Sequence, residues 1–191
     1  MSGTRVQYPR GRRPGELTYE DYCALPDDSL RYEVVEGLLF AEPSPRRAHQ
    51  RAVGRLFAVL DGHVRARGLG EVFIAPFDVI LSPRTVVVPD LVFVAAGRSA
   101  IVSERGIEGA PDLIVEVLSG VTRRRDRVVK AGAYARHGVP HYWVLDPEDR
   151  TLEAFELVRG AYSPAAALEG DRTFEPALFP GLAIPLAGLW R

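Results

Sequence analysis

The stretch GAPDLIVEVLS, residues 109–119, decides the fold class of this chain. Its centre, from Asp112 to Leu118, is a nearly unbroken apolar run, which is typical of an interior strand covered on both faces of a sheet. Glu116 interrupts the run, and the alternation of side chains along a strand places it on one face with Ile114 and Leu118. An ionised carboxylate in such a position has a desolvation cost of several kcal/mol unless it is paired or binds a metal ion.

A second acid lies inside apolar sequence further upstream, in VVVPDLVFV, residues 86–94. Asp90 stands between two apolar halves of a predicted strand, directly after Pro89. Because proline has no amide hydrogen, it interrupts the hydrogen-bond ladder and can separate this strand from its neighbour. A gap between strands is a place where a carboxylate can point towards a ligand. The spacing allows Asp90 and Glu116 to lie on adjacent strands.

Lys130 is the only lysine among the 24 basic residues. It falls on a helix that we predict over residues 122–137, where Asp126, Lys130 and Tyr134 share a face. If this helix packs over the strand of Glu116, the amine reaches the same site. Two carboxylates suit Mg²⁺ (or Mn²⁺), which prefers oxygen ligands, and a nearby ammonium group can orient a water molecule or steady a phosphate.

The remaining elements follow from caps, turns and hydrophobic periodicity. In the first half of the chain we predict a short helix from Thr18 to Leu25, a hairpin from Tyr32 to Ala41 around Glu36-Gly37, a helix opened by Ser44-Pro45 and stopped by Gly68, one strand from Glu71 to Leu81 bent at Pro76, and a second from Thr85 to Val94. In the second half we predict a loop or weak helix from Gly97 to Gly109, the strand of Glu116, the helix capped by Thr122, a strand from Val139 to Leu145, an edge strand from Thr151 to Val158, and a covering tail. This order predicts an α/β fold, a mixed β-sheet flanked by helices.

The composition limits the class of protein. The chain has 191 residues, of which 47% are hydrophobic, and a formal net charge of −1. These values allow one core and exclude an acidic disordered chain and a strongly basic nucleic-acid coat protein. We predict a flexible basic tail over residues 1–15 and a single domain over residues 16–191.

Cysteine usage and hydropathy suggest the cellular setting. The one cysteine, Cys23, excludes an intrachain disulfide and a thiolate metal cluster. Since the sequence shows no signal peptide and no apolar run long enough to span a bilayer, we predict a cytoplasmic protein without a membrane span. The motifs of P-loop, Rossmann, serine-hydrolase and zinc-protease sites are missing from the sequence.

Several stretches resemble the PD-(D/E)xK nuclease superfamily, and more closely the large bacterial family of restriction-endonuclease-like proteins of unknown function. The matching stretches are RYEVVEG (31–37), SPRRAHQ (44–50), VVVPDLVFV (86–94), GAPDLIVEVLS (109–119) and TRRRDRVVKAGAYARHGVPHYWVLDPE (122–148). Pro89-Asp90 is similar to the "PD" element and Glu116 to the acid of (D/E)xK. The lysine expected two places further on is replaced by Leu118, and in such variants its function passes to the following helix, which Lys130 matches. The resemblance implies a restriction-endonuclease-like core and a Mg²⁺-dependent (or Mn²⁺-dependent) endonuclease that cleaves DNA to leave a 5′-phosphate.

The resemblance also implies an acid from the first core helix. That helix offers only Asp61, late in its length, so Glu33 on the hairpin or His49 near the helix start is expected to take this position. The predicted catalytic set is Asp90, Glu116, Lys130 and Glu33, with Asp90 and Glu116 as the metal ligands. The roles left open are those of His49, Asp78 and Asp112.

Three questions about partners and activity stay open at this point. Arg123-Arg124-Arg125, with Arg127 and Arg136, is either a solvated helix face or a seat for a DNA backbone. The alternative to an endonuclease is a non-catalytic module that keeps the fold and binds nucleic acid or a partner, and a small-molecule phosphohydrolase is a weaker alternative. We also predict a homodimer, since an apolar edge strand such as Thr151 to Val158 can dock on a second copy.

Overall fold

The computed structural model describes residue 9 and residues 11–28, 30–42, 44–119 and 125–191. The strands, in chain order, are β1 (Arg31–Val35), β2 (Leu38–Glu42), β3 (Gly70–Ile74), β4 (Val79–Ser82), β5 (Thr85–Val87), β6 (Leu91–Ala95), β7 (Val102–Ser103), β8 (Gly106–Glu108), β9 (Leu113–Val117), β10 (His141–Asp146), β11 (Thr151–Val158), β12 (Ala161–Glu169), β13 (Thr173–Phe174) and β14 (Ile184–Pro185). The α-helices are α1 (Tyr19–Cys23), α2 (Arg47–Arg67), α3 (Ala131–Arg136) and α4 (Leu186–Trp190). A 3₁₀ helix spans Ala96–Ile101, and turns with the wider π hydrogen-bond pattern, Arg125–Lys130, lead into α3.

Two six-stranded sheets form the architecture. The first has the order β2-β1-β5-β4-β8-β7, and the second has the order β12-β11-β10-β9-β6-β3. Both are mixed, because β4 pairs in parallel with β8, and β9 with β10, while the other neighbours are antiparallel. The predicted α/β fold with mixed sheets flanked by helices is confirmed, although we expected one sheet and the structure has two of this size.

Strand β9 lies inside the second sheet, as its apolar run predicts. All five of its residues are buried, and it pairs with β10 on one side and β6 on the other. Val115 and Val117 face the core beneath α2, whereas Ile114 faces the core that includes Tyr134 of α3. The strand is therefore covered on both faces by helices that come before and after it in the chain.

Capping residues in the sequence predict two of the helix ends correctly and one wrongly. Thr18 caps α1 in a reciprocal capping box with Asp21, and Gly68 ends α2 in the left-handed conformation, as predicted. The predicted start of α2 at Ser44-Pro45 is wrong, because the helix begins at Arg47 and its first turn has no side-chain cap. The predicted Thr122 cap lies outside the described residues.

The chain moves from one sheet to the other at two prolines. We predicted one strand from Glu71 to Leu81, bent at Pro76, but β3 belongs to the second sheet and β4 to the first. In the same way, the predicted strand from Thr85 to Val94 is β5 in the first sheet and β6 in the second. Proline cannot continue a ladder, so each proline is a point at which the backbone can change sheet. Asp90 consequently lies at the junction of the two sheets.

The C-terminal part of the chain does more than cover the core. Strand β12 pairs with β11 along its length, so the prediction that Thr151 to Val158 forms the sheet edge is wrong. The β13–β14 hairpin and α4 follow, and Phe179, Ile184 and Leu189 are buried in the core beneath α2. No helix in the described ranges combines the length and apolar character that a membrane crossing needs. The division into a tail (1–15) and a domain (16–191) stays a prediction, since residues 1–8 and 10 are outside the described ranges.

Candidate active site

Buried ionisable side chains from five separate parts of the chain meet near the junction of the two sheets. The described residues of this cluster are Glu33 on β1, His49 on α2, Asp90 between β5 and β6, Glu116 on β9, and Lys130 just before α3. Each has less than a tenth of its surface exposed. Charged groups are rarely buried to this extent unless they are paired, so the contacts within the cluster determine whether the fold tolerates them.

Lys130 connects two of the acids. Its Nζ lies 2.8 Å from Oε1 of Glu33 and 2.9 Å from Oε1 of Glu116. The hydroxyl of Tyr134 donates a second hydrogen bond of 2.6 Å to the same oxygen of Glu116, and the Val88 N–H donates one of 2.9 Å to Glu33. The structure thus brings Glu33, Glu116 and Lys130 together, as the sequence suggested. Their catalytic roles stay predictions.

Burial explains the protonation state of Tyr134. Its pKa is raised well above the usual value, first by burial and then by the negative charge of Glu116. The phenol therefore keeps its proton at neutral pH and remains a hydrogen-bond donor to the carboxylate. On the helix, Tyr134 lies four residues after Lys130, which places both groups on the face that meets β9.

Asp90 is held by contacts of a different kind. Its Oδ2 accepts the Val117 N–H at 2.8 Å and lies 3.1 Å from Nε2 of His49, a hydrogen bond in the tautomer with the proton on Nε2. Its Oδ1 is 3.7 Å from Nη1 of Arg31, an ion-pair distance that is longer than a hydrogen bond. Since Val117 follows Glu116 directly, this contact ties Asp90 to the strand that carries the second acid.

The break at Pro89 explains why these carboxylates can be buried. The ladder between β6 and β9 begins at the pair Leu91 and Val115. Beyond that pair, the Asp90 side chain accepts the Val117 N–H, and Glu33 accepts the N–H of Val88. Carboxylates thus accept main-chain amides where regular strand pairing has ended, which offsets part of their desolvation.

The other acids that we considered lie outside this cluster. Asp78 accepts a hydrogen bond of 2.9 Å from the hydroxyl of Tyr22, and its pKa is raised by burial, an effect that this hydrogen bond partly opposes. Asp112 pairs with Arg98 at 3.0 Å and accepts the Ala95 N–H. These contacts give Asp78 and Asp112 structural partners.

Other charged groups that we considered are solvated or outside the described side chains. Asp61 is 3.6 Å from Arg65 on the outer face of α2, so it does not supply the acid expected from the first core helix. Arg136 pairs with Glu36 at 3.2 Å on the surface. Of the basic run, Arg123 and Arg124 are outside the described residues, and the side chains of Arg125 and Arg127 are not described.

Sequence reasoning missed one member of the site, Arg31. The signal for it is present, because Arg31 and Glu33 are alternate residues of β1 and therefore share a strand face. His49, considered for the place of the missing helix acid, contacts Asp90, while Glu33 contacts Lys130. The two residues thus contact different members of the cluster.

The side chains of the site have the right chemistry for a hard divalent cation. They are not, however, arranged as a ready-made metal site. Asp90, Glu116 and Glu33 supply carboxylate oxygens, the ligands that Mg²⁺ and Mn²⁺ prefer. Within the described part of the chain, however, no three His, Cys, Asp or Glu side chains are grouped closely enough to hold a metal ion. The ammonium group of Lys130 pairs with both Glu33 and Glu116, so it occupies the position between their carboxylates.

The fold and the buried acid–lysine cluster place the chain in the restriction-endonuclease-like class. A family model described as "Uma2: Putative restriction endonuclease" matches residues 19–187, so the chain belongs to this family and the resemblance is confirmed. The fold is also similar to that of a solved protein, described as a "putative nuclease belonging to DUF820" from Anabaena variabilis ATCC 29413. The TM-score is 0.76 at 19% identity, and the match covers 91% of this chain and 97% of the other. None of the curated proteins matches the sequence.

Proposed function

We propose that the protein is an endonuclease that uses Mg²⁺ or Mn²⁺ to hydrolyse DNA phosphodiester bonds at the cluster of buried carboxylates. One observation carries the proposal: Glu116 and Glu33 pair with the only lysine of the chain, and Asp90 accepts the Val117 N–H beside Glu116, at the point where the backbone changes sheet. A well-packed apolar cluster would stabilise the fold at least as well as these buried acids. A function in binding a cation therefore explains the acids better than a role in stability does.

Each group of the cluster has a proposed role. Asp90 and Glu116 would hold the cation through their carboxylate oxygens, and a bound cation would polarise the phosphoryl group and acidify a water ligand. The Lys130 ammonium orients the attacking water or neutralises charge on the phosphate, and Glu33 fixes the position of that ammonium. Water attacks phosphorus, the P–O3′ bond breaks, and the products are a 5′-phosphate and a 3′-hydroxyl that has taken up a proton.

Plasmid cleavage in Mg²⁺ or Mn²⁺ tests this proposal. Asp90→Asn and Glu116→Gln remove one charge each but keep an acceptor for the Val117 N–H and for Lys130. We expect both variants to fold and to lose metal-dependent nicking. Asp171→Asn is the matched control, because Asp171 is an exposed acid paired only with Arg191 among its described contacts. Nicking retained by either cluster variant would refute the assignment.

A non-catalytic binding module is the second candidate, and one observation favours it. Lys130 already neutralises part of the charge of the acids Glu33 and Glu116. Isothermal titration with Mn²⁺ separates the two functions. Heat that is lost in Asp90→Asn supports the nuclease, whereas wild-type protein that binds DNA without binding Mn²⁺ supports the module.

The homodimer remains a prediction, but the edge strand on which a second copy could dock differs from the one that we predicted. Because β12 covers β11, the outer edge of the second sheet is Ala161–Glu169 rather than Thr151 to Val158. Pro164 lies within this edge and lacks an amide hydrogen, which limits the length over which a second copy could pair. Light scattering on the purified protein gives the oligomeric state directly.

A further inference from the structure

Arg31 is a cation beside the acids that is partly open to solvent. The side chain of Arg31 is 28% exposed, whereas those of Lys130 and His49 are only 3% and 7% exposed. Its Nη1 lies 3.7 Å from Oδ1 of Asp90, which is itself buried. A ligand that contacts Arg31 from solvent would therefore lie close to Asp90.

The position of Arg31 on its strand explains how it reaches the site. It is the first residue of β1, and its backbone lies opposite that of Glu42 in the strand register. This is the open end of the β1–β2 hairpin, far from the turn at Glu36-Gly37. Glu33, two residues further along the same face, is buried against Lys130. The strand thus carries a buried acid and, two residues away, a partly exposed cation.

The formal charges of the site indicate what kind of ligand it would bind. Among the described side chains, three acids, Asp90, Glu116 and Glu33, lie beside two cations, Lys130 and Arg31. The remaining negative charge repels a phosphodiester when no metal ion is bound, and a divalent cation reverses its sign. Arg31 and the metal ion would then attract the same anion, so phosphate binding is expected to depend on both.

We propose that Arg31 binds the phosphodiester of the substrate beside Asp90, an inference that rests on the proposed nuclease function. A guanidinium group donates two parallel hydrogen bonds to phosphate oxygens, which gives both affinity and orientation. The competing explanation is purely structural: Arg31 neutralises Asp90 and contacts no substrate. The two explanations differ in what a substitution changes, namely DNA affinity or the properties of Asp90.

Fluorescence anisotropy with a labelled 30-base-pair duplex separates these explanations. The binding is measured in Ca²⁺, a cation with the same preference for oxygen ligands, over a series of salt concentrations. We expect Arg31→Met to weaken binding by about 10- to 100-fold and to lower the slope of log K against log salt by about one, the effect of one lost phosphate contact. Arg65→Met is the control, because it removes an exposed arginine of α2; its affinity and slope should equal those of the wild type.

Each result decides the matter. Wild-type affinity and slope in Arg31→Met, with altered Mn²⁺ binding or a lower urea midpoint, would overturn the proposal in favour of the structural role. If Arg31→Met does not fold, Arg31→Lys decides: it keeps the charge beside Asp90, so weaker DNA binding with unchanged Mn²⁺ affinity supports phosphate binding, and wild-type affinity overturns it. If the wild type neither binds nor cleaves DNA, the proposed nuclease function fails and this inference fails with it.

Discussion

The ammonium group of Lys130 lies 2.9 Å from Oε1 of Glu116, and both side chains are almost wholly buried. The pair joins the helix after β9 to β9 itself, and through Glu33 it joins both to β1 in the other sheet. A charged contact thus holds together the three elements that frame the site. Its removal should affect stability as well as activity.

Replacing Lys130 by methionine should destabilise the protein by about 3–5 kcal/mol, because Glu33 and Glu116 would lose their buried counter-ion. Urea unfolding measures the change. Adding Glu33→Gln and Glu116→Gln to the Lys130→Met variant should restore most of the loss, since no uncompensated charge remains. An unchanged urea midpoint in Lys130→Met would show that the cluster is solvated in solution.

Replacing His49 by phenylalanine should lower Mn²⁺ affinity or cleavage by about 10- to 100-fold, as is typical when a group that orients a metal ligand is lost. His49 lies 3.1 Å from Oδ2 of Asp90, so its removal takes away one of the two groups that hold this oxygen, the other being the Val117 N–H. Titration calorimetry measures the affinity. His63→Phe is the control, because His63 is a buried histidine of the same helix that packs edge-on against Phe179. Equal affinity in the two variants would exclude an orienting role for His49.

Much of the fold could be predicted because it depends on local patterns. The apolar run at residues 109–119 and the Gly68 stop act through burial and backbone conformation, both of which the sequence displays. The second sheet could not be predicted in this way. Whether the strand of Asp90 continues or changes sheet at Pro89 depends on partners far along the chain, and a single sequence does not specify them.

The site was predictable to the extent that burial makes a charge conspicuous. Asp90 and Glu116 interrupt apolar strands, and Lys130 is the only lysine. The sequence alone therefore identifies these three residues as candidates. Glu33 and Arg31 lie on a hairpin of mixed polarity, where charged residues are common. Their membership depends on the pairing of β1 with β5, which is a tertiary contact.

Replacing Gly70 by alanine should destabilise the fold by at least about 1–3 kcal/mol, because the added Cβ would collide with the Val94 carbonyl oxygen at a φ of +148°. Thermal and urea unfolding both report the loss. Gly54→Ala on α2 is the matched control, since its Cβ would meet open space. It should stabilise the protein by about 0.5–1 kcal/mol through helix propensity. Similar effects of the two changes would contradict the described start of β3.

The pH dependence of stability should change when Asp78 becomes asparagine. Burial raises the pKa of Asp78 above its usual value of 3.8. The folded state therefore binds this proton more tightly than the unfolded state, and the contribution of Asp78 to stability falls as pH rises from 3.8 through its folded pKa. Asparagine keeps an acceptor for Tyr22 and does not titrate. The difference in unfolding free energy, Asp78→Asn minus wild type, should increase over that interval, and a constant difference would argue against a raised pKa.

The central claim is that Asp90 and Glu116 together bind a divalent metal ion. Anomalous diffraction from a crystal soaked in Mn²⁺ tests it most directly. We expect one strong anomalous peak in contact with a carboxylate oxygen of each residue. Fully soaked crystals with no peak there, and with Lys130 still bound to Glu33 and Glu116, would contradict it.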